Sequence, residues 1–154
     1  MMNLVKNWGK ITLALTVALF AGCSSSDKED EMDDATKGSN KGDIQVVKKH
    51  DTALLLCSFG STFPQPQETY KKIIADYKKE FPNTDIYLSF TSHTIVNRVK
   101  HKFDETFVQP DVWLEAIGEA GYKEVHVQSL HIIPGEEYLS LMNTNVKKDF
   151  MNKY

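Results

Sequence analysis

Residues 53–59, Ala53-Leu54-Leu55-Leu56-Cys57-Ser58-Phe59, form a nearly unbroken apolar run. A strand wet on one face alternates polar with apolar residues. A short run without alternation marks a parallel strand covered on both faces. Cys57 within it reads as a small core hydrophobe rather than a reactive thiol. Residues 60–66 break the pattern with Gly60, Pro64 and Pro66. From Gln67 apolar residues recur at Tyr70, Ile73, Ile74, Tyr77 and Phe81, a helical stripe that Pro82-Asn83 closes.

Downstream the same alternation of elements continues. Residues 85–90 predict a second strand, with Ile86, Leu88 and Phe90 at alternate positions. Ser92 or Thr94 can cap a short helix carrying Ile95, Val96, Val99 and Phe103. Pro110 suits the first turn of a third helix, with Val112, Trp113, Ala116, Ile117 and Ala120 inward and Gly121 as its stop. Residues 125–132 predict a third strand, and Tyr138, Leu141, Met142, Val146 and Phe150 a last helix. Strand and helix alternating three times imply an α/β fold, a parallel three-layer sheet, over residues 51–154. In such a sheet ligands bind at the carboxyl ends of the strands. That edge collects Ser58-Phe59-Gly60-Ser61-Thr62, then Ser92-His93, then His131.

Upstream the chain reads as an address followed by a spacer. Lys6 and Lys10 precede a ten-residue apolar stretch, ITLALTVALF, at 11–20. Ten residues are too few to cross about 30 Å of hydrocarbon as a helix, so residues 1–22 are expected to be a signal peptide. Leu19-Phe20-Ala21-Gly22-Cys23 resembles the bacterial lipobox, with Phe20 where leucine is usual, and that likeness implies lipidation at Cys23. Residues 27–34 hold six acids and one lysine and bury too little apolar surface to fold. Residues 23–50 are therefore expected to be an acidic flexible tether. Acids behind a lipidated cysteine fit a surface-export signal or a plain spacer, and both readings stay open. The expected location is the cell envelope, periplasmic or on the outer-membrane surface, with the membrane as partner through the lipid.

The 154 residues suffice for one domain. A net charge of -3 gives no basic footprint for nucleic acid. The turn after residue 59 has neither Gly-x-Gly-x-x-Gly nor Gly-Lys-Ser/Thr, so no nucleotide is expected. Ser58 and Ser61 lack the flanking glycines of a nucleophile elbow. Two cysteines allow neither a disulfide framework nor a closed zinc site. Of the five histidines, His50 falls at the tether boundary and His101 on a lysine-rich helix end. His126 points away from the face of Val125 and Val127. His93 and His131 fall at the functional edge.

His131 opens the string Leu130-His131-Ile132-Ile133-Pro134-Gly135-Glu136-Glu137-Tyr138. This resembles the histidine loop of the sirohydrochlorin cobaltochelatases of the anaerobic cobalamin pathway. Ser58-Phe59-Gly60-Ser61-Thr62 resembles that family's first-strand turn, and Phe90-Thr91-Ser92 its second-strand end. The three matches keep the family's order and span about residues 52–150, its N-terminal half. The resemblance implies that His131 holds the incoming metal and takes a proton from the macrocycle. It further implies that Ser58, Phe59, Gly60, Ser61, Thr62 and His93 border the tetrapyrrole, although many relatives carry a basic residue at the position of His93. Glu136 and Glu137 fit a proton relay or simple solvation.

The expected reaction is insertion of Co²⁺, or of Ni²⁺ or Fe²⁺, into sirohydrochlorin or a similar tetrapyrrole. Imidazole suits these borderline ions and takes protons near neutrality. Family members carry a second α/β domain supplying another histidine and an acidic ligand, and this chain ends at Tyr154. The expected remedy is a homodimer or a separately encoded second half; an inactive truncated product is the other outcome. The competing function is a non-catalytic envelope lipoprotein that binds heme, another tetrapyrrole or metal.

Overall fold

A computed structural model describes residues 44–103 and 106–154. The signal segment, Cys23 and most of the expected tether lie outside the described residues. Three strands form one parallel sheet in the order β2-β1-β3: β1 (Thr52–Ser58), β2 (Thr84–Phe90) and β3 (Glu124–Ser129). β1 is the hub, pairing Leu54 with both Ile86 and His126, and Leu56 with both Leu88 and Gln128. Its residues from Ala53 to Ser58 are all buried, as the unbroken apolar run requires. The α/β architecture expected from the sequence is the one found.

Helices cover both faces. On one side α1 (Pro64–Glu80) and α2 (His93–Phe103) pack Tyr70, Val96 and Val99 against Phe90. Phe90 is fully buried and stacks on Phe107, ring centres 4.2 Å apart. On the other side α3 (Pro110–Glu119) sets Leu114 and Ile117 against Ala53, Leu55 and Cys57. Burial pushes the Cys57 thiol up to about 12, so it is an inert core group. A short α4 (Glu136–Ser140) then widens into a π-helical segment, Leu141–Phe150. Its apolar positions 141, 142, 146 and 150 follow one another at spacings of one, four and four residues. Wide i→i+5 turns, such as Met151 N–H to Val146 C=O at 2.9 Å, bring such positions to one side.

Several boundaries differ from the sequence reading, each for a local reason. The first helix starts at Pro64 rather than Gln67. A first-turn proline gives up an N–H that has no helical acceptor, so both prolines sit inside the helix rather than before it. The third strand stops at Ser129 rather than 132. There the Ser129 hydroxyl accepts the His131 N–H at 3.2 Å and turns the chain out of the ladder. Ile132 and Ile133 consequently stand 98% and 76% exposed. In α3 Val112 and Ile117 are buried as the stripe has them, and so is Leu114, which the stripe omitted. Gly121 does end that helix, with φ at +68.

The amino edge of the sheet is locked by one carboxylate. Asp85 is 8% exposed and accepts from Lys49 N–H (2.7 Å), His50 N–H (3.0 Å) and Tyr122 O–H (2.7 Å) at Oδ2. His50 Nδ1 lies 2.7 Å from its Oδ1. Burial acts to raise this carboxyl, but the four hydrogen bonds outweigh it and hold the group at about 2. The lock ties residues 49–50 to β2 across 35 positions of sequence. A depressed carboxylate stabilises the fold above its unfolded value, and that contribution is lost as pH falls through about 4 to 2. Asp85→Asn should therefore cost ~2 kcal/mol at neutral pH. Urea unfolding across that acid range should show the wild-type advantage vanish; an advantage independent of pH would refute the lock.

Candidate functional site

At the opposite edge, three strand ends meet because β1 is flanked on both sides. Thr91 N–H donates to Ser58 C=O at 2.8 Å, and Leu130 N–H donates to Cys57 C=O at 2.8 Å. Continuing the ladder one residue past each strand, to Thr91 and Leu130, brings Thr91 beside the next residue, His131. The His131 ring is held between two hydroxyls: Nε2 lies 3.0 Å from Thr91 Oγ1, and Nδ1 lies 2.9 Å from Ser129 Oγ. Tyr138 meets the ring edge-on, centres 6.5 Å apart. His131 thus sits in the loop two residues beyond β3, not at the strand end where the sequence put it.

The ring's chemistry follows from this seat. Partial burial lowers its pKa from the ordinary histidine value, and the Glu137 carboxylate pulls partly the other way. The net effect favours neutral imidazole, which keeps a lone pair for a metal. Two proton arrangements satisfy the hydroxyls. Ligation at Nε2 would select the one in which Nδ1–H donates to Ser129, since an orienting hydrogen bond on the far nitrogen fixes a metal-binding ring. In that arrangement the Thr91 hydroxyl, which also reaches the Ser58 carbonyl at 3.4 Å, turns its proton to Nε2 and would yield that place to a metal.

The glycine turn builds the neighbouring wall. Gly60 takes φ +97, and a Cβ there would stand 2.8 Å from both Ile95 Cγ2 and Phe90 Cγ. The loop can close over Phe90 only without a side chain. Ser58 is buried, its hydroxyl 2.9 Å from Tyr70 O–H, so its side chain is committed inward. Ser61 accepts Phe63 N–H at 3.2 Å, and the Thr62 carbonyl accepts Lys102 Nζ at 3.0 Å. Phe59 and Phe63 remain 48% and 68% exposed, an aromatic surface on this loop.

The other expected residues are distributed as follows. His93 is the exposed first residue of α2, not the end of β2; the Ser92 hydroxyl before it receives Ile95 N–H at 3.5 Å. Glu136 and Glu137 open α4, and only Glu137 acts on the His131 ring. His126 is exposed and pairs with Glu124 at 2.9 Å, as its position opposite Val125 and Val127 implied. Sequence reasoning passed over Thr91 and Ser129 as partners of His131. Ser129 carried a signal, a hydroxyl two residues before the histidine; Thr91 becomes visible only once the strands are in register. Among the described residues, no three His, Cys, Asp or Glu side chains gather to hold a metal.

A family model described as Cobalt chelatase (CbiK) matches residues 52–154, from the first residue of β1 onward. The chain belongs to the cobalt chelatase family. Sirohydrochlorin cobaltochelatase of Salmonella typhimurium is 35% identical over 89 residues, 56% of this chain and 33% of that protein. Sirohydrochlorin cobaltochelatase CbiKC of Nitratidesulfovibrio vulgaris is 33% identical over 103 residues, 64% of this chain and 34% of that protein. The chain spans about a third of the length of these curated relatives.

If the His131 ring takes a metal at Nε2, the Thr91 hydroxyl is a competitor for that nitrogen. Thr91→Val should tighten Co²⁺ binding about threefold to tenfold, the worth of one hydrogen bond, while Thr91→Ser stays near wild type. Cobalt absorbance titration reads the difference. Weaker binding in Thr91→Val would show that Thr91 orients the ring instead.

Proposed function

We propose that this domain is one lobe of a sirohydrochlorin cobaltochelatase, with His131 as the residue that receives the metal and then a proton. The observation that carries the reading is the seat of His131. A neutral imidazole, fixed by two hydroxyls at the carboxyl edge of a parallel sheet, lies within a chain that matches the family from residue 52 on.

The chemistry asks for little more from one lobe. Co²⁺ gives up water to Nε2 as the Thr91 hydroxyl moves aside. The macrocycle rests its face on the exposed Phe59 and Phe63 rings, beside the Ser58–Thr62 loop and His93. As four metal–nitrogen bonds form in the ring, two pyrrole protons leave. The imidazole released by the metal accepts one, which Glu137, with Glu136 behind it, hands to water, and the other passes directly to solvent water. Ni²⁺ and Fe²⁺ satisfy the same donor, and cobalt is favoured by the names of the relatives.

One histidine does not complete a coordination sphere, so the proposal includes a second lobe, from another copy of this chain or a separate polypeptide. The apolar Ile132 and Ile133 flank the histidine and suit contact with that lobe. Cys23 is proposed as a lipidated N-terminus that anchors the protein in the cell envelope, with the residues between it and the Asp85 lock at Lys49 as spacer. Mass spectrometry of the membrane fraction should find a diacylglycerol adduct on Cys23, and a soluble product beginning at Met1 would refute the anchor.

The test of function is an insertion assay with sirohydrochlorin and Co²⁺. His131→Ala should abolish insertion while changing stability by only ~1 kcal/mol. His126→Ala, on the exposed face of β3, should leave it unchanged. Spectral perturbation of the tetrapyrrole without metal insertion would instead favour a heme- or tetrapyrrole-binding lipoprotein. Loss of insertion in His126→Ala but not in His131→Ala would overturn the assignment.

A further inference from the structure

Asp85 stands near the start of β2, so the amino edge is separated from the His131 edge by the strand's length, about 20 Å for seven residues. Beside Asp85 lies a cavity of about 440 Å³, within the range of small-molecule sites. Its lining divides by chemistry. Phe81, Pro82 and Ile86 form an apolar wall, and Lys49, Lys78 and His50 form a basic rim. Phe81 is 49% exposed, with its ring available at the surface.

The carboxylate in this lining is already spent. Asp85 accepts four hydrogen bonds from within the domain and offers a cation little. The basic groups are not spent. Among the described residues, the Lys49 and Lys78 ammonium groups have no protein partner, and His50 is bonded at Nδ1 but not at Nε2. Two free ammonium groups repel a metal ion and attract an anion. Asp85 fixes the His50 ring through Nδ1, which leaves Nε2 unbonded, an N–H donor to a ligand oxygen when the ring is an imidazolium.

We propose that this cavity is a second binding site, for a small organic anion with a flat apolar body, of the aryl phosphate or aryl carboxylate class. The lysines pair with the anionic head, the imidazolium form of His50 adds an Nε2–H donor to one of its oxygens, and the ring lies on Phe81, Pro82 and Ile86. The site shares no residue with the His131 edge, so it holds whatever reaction occurs there.

The experiment is an amide-shift titration of the isotopically labelled full-length chain with phenyl phosphate, benzoate and inorganic phosphate. Phenyl phosphate and benzoate should give saturable shifts at Lys49, His50, Asp85 and Ile86. Both should bind about tenfold or more tightly than inorganic phosphate, which lacks the apolar body. The double variant Lys49→Ala/Lys78→Ala, altered only at exposed side chains, should weaken both by a similar factor. His131→Ala should change neither. The assignment is overturned by an absence of saturable shifts, by equal affinity for inorganic phosphate, or by indifference to the double variant. Shifts centred on residues 58–62 and 131 would overturn it as well.

Discussion

The rest of the domain depends on β1 being hydrogen-bonded along both of its edges. A central parallel strand fixes where its neighbours end, because each partner's ladder is referred to the same carbonyls. Ser58 C=O receives Thr91 from one side, and Cys57 C=O receives Leu130 from the other. His131 meets Thr91 for that reason, although 40 residues separate them in sequence. Complete burial of Ala53, Leu55, Leu56 and Cys57 then makes this register hard to shift. A slip by one residue would turn every one of those side chains to the opposite face.

The two edges of the sheet are built for different tasks. At the amino edge a buried carboxylate collects four donors and binds the incoming chain to β2. At the carboxyl edge the protein keeps polar groups in a lightly tied state and leaves large apolar groups in water. Phe59, Phe63, Ile132 and Ile133 are the large apolar side chains left exposed in the loops beyond β1 and β3. Under the proposed function these side chains would meet a flat macrocycle and a second lobe. The neutral imidazole among these groups is the one that burial and Glu137 tune in opposite directions.

The sequence made the strand-helix alternation legible because periodicity reports burial, and burial is what β1 and the helix stripes share. Strand ends were less legible. Phe59 extended the apolar run and was counted with β1, yet it lies half in water, because hydrophobicity does not record where a ladder stops. His131 was selected by its loop string and by topology, while its seat between Thr91 and Ser129 depends on register. The Asp85 lock was invisible: its donors come from residues 49, 50 and 122, and no local pattern links them. Pro64 and Pro66 misled in a definite way, since a proline that breaks a helix interior also starts a helix well.

The central claim is that cobalt enters this fold at the carboxyl edge, on the His131 ring. Paramagnetic line broadening of backbone amides by sub-stoichiometric Co²⁺ measures that directly. The account predicts broadening centred on His131, extending to Thr91 and Ser129, with the amides around Asp85 unaffected. Broadening centred on His126 or His50, with His131 sharp, would contradict it.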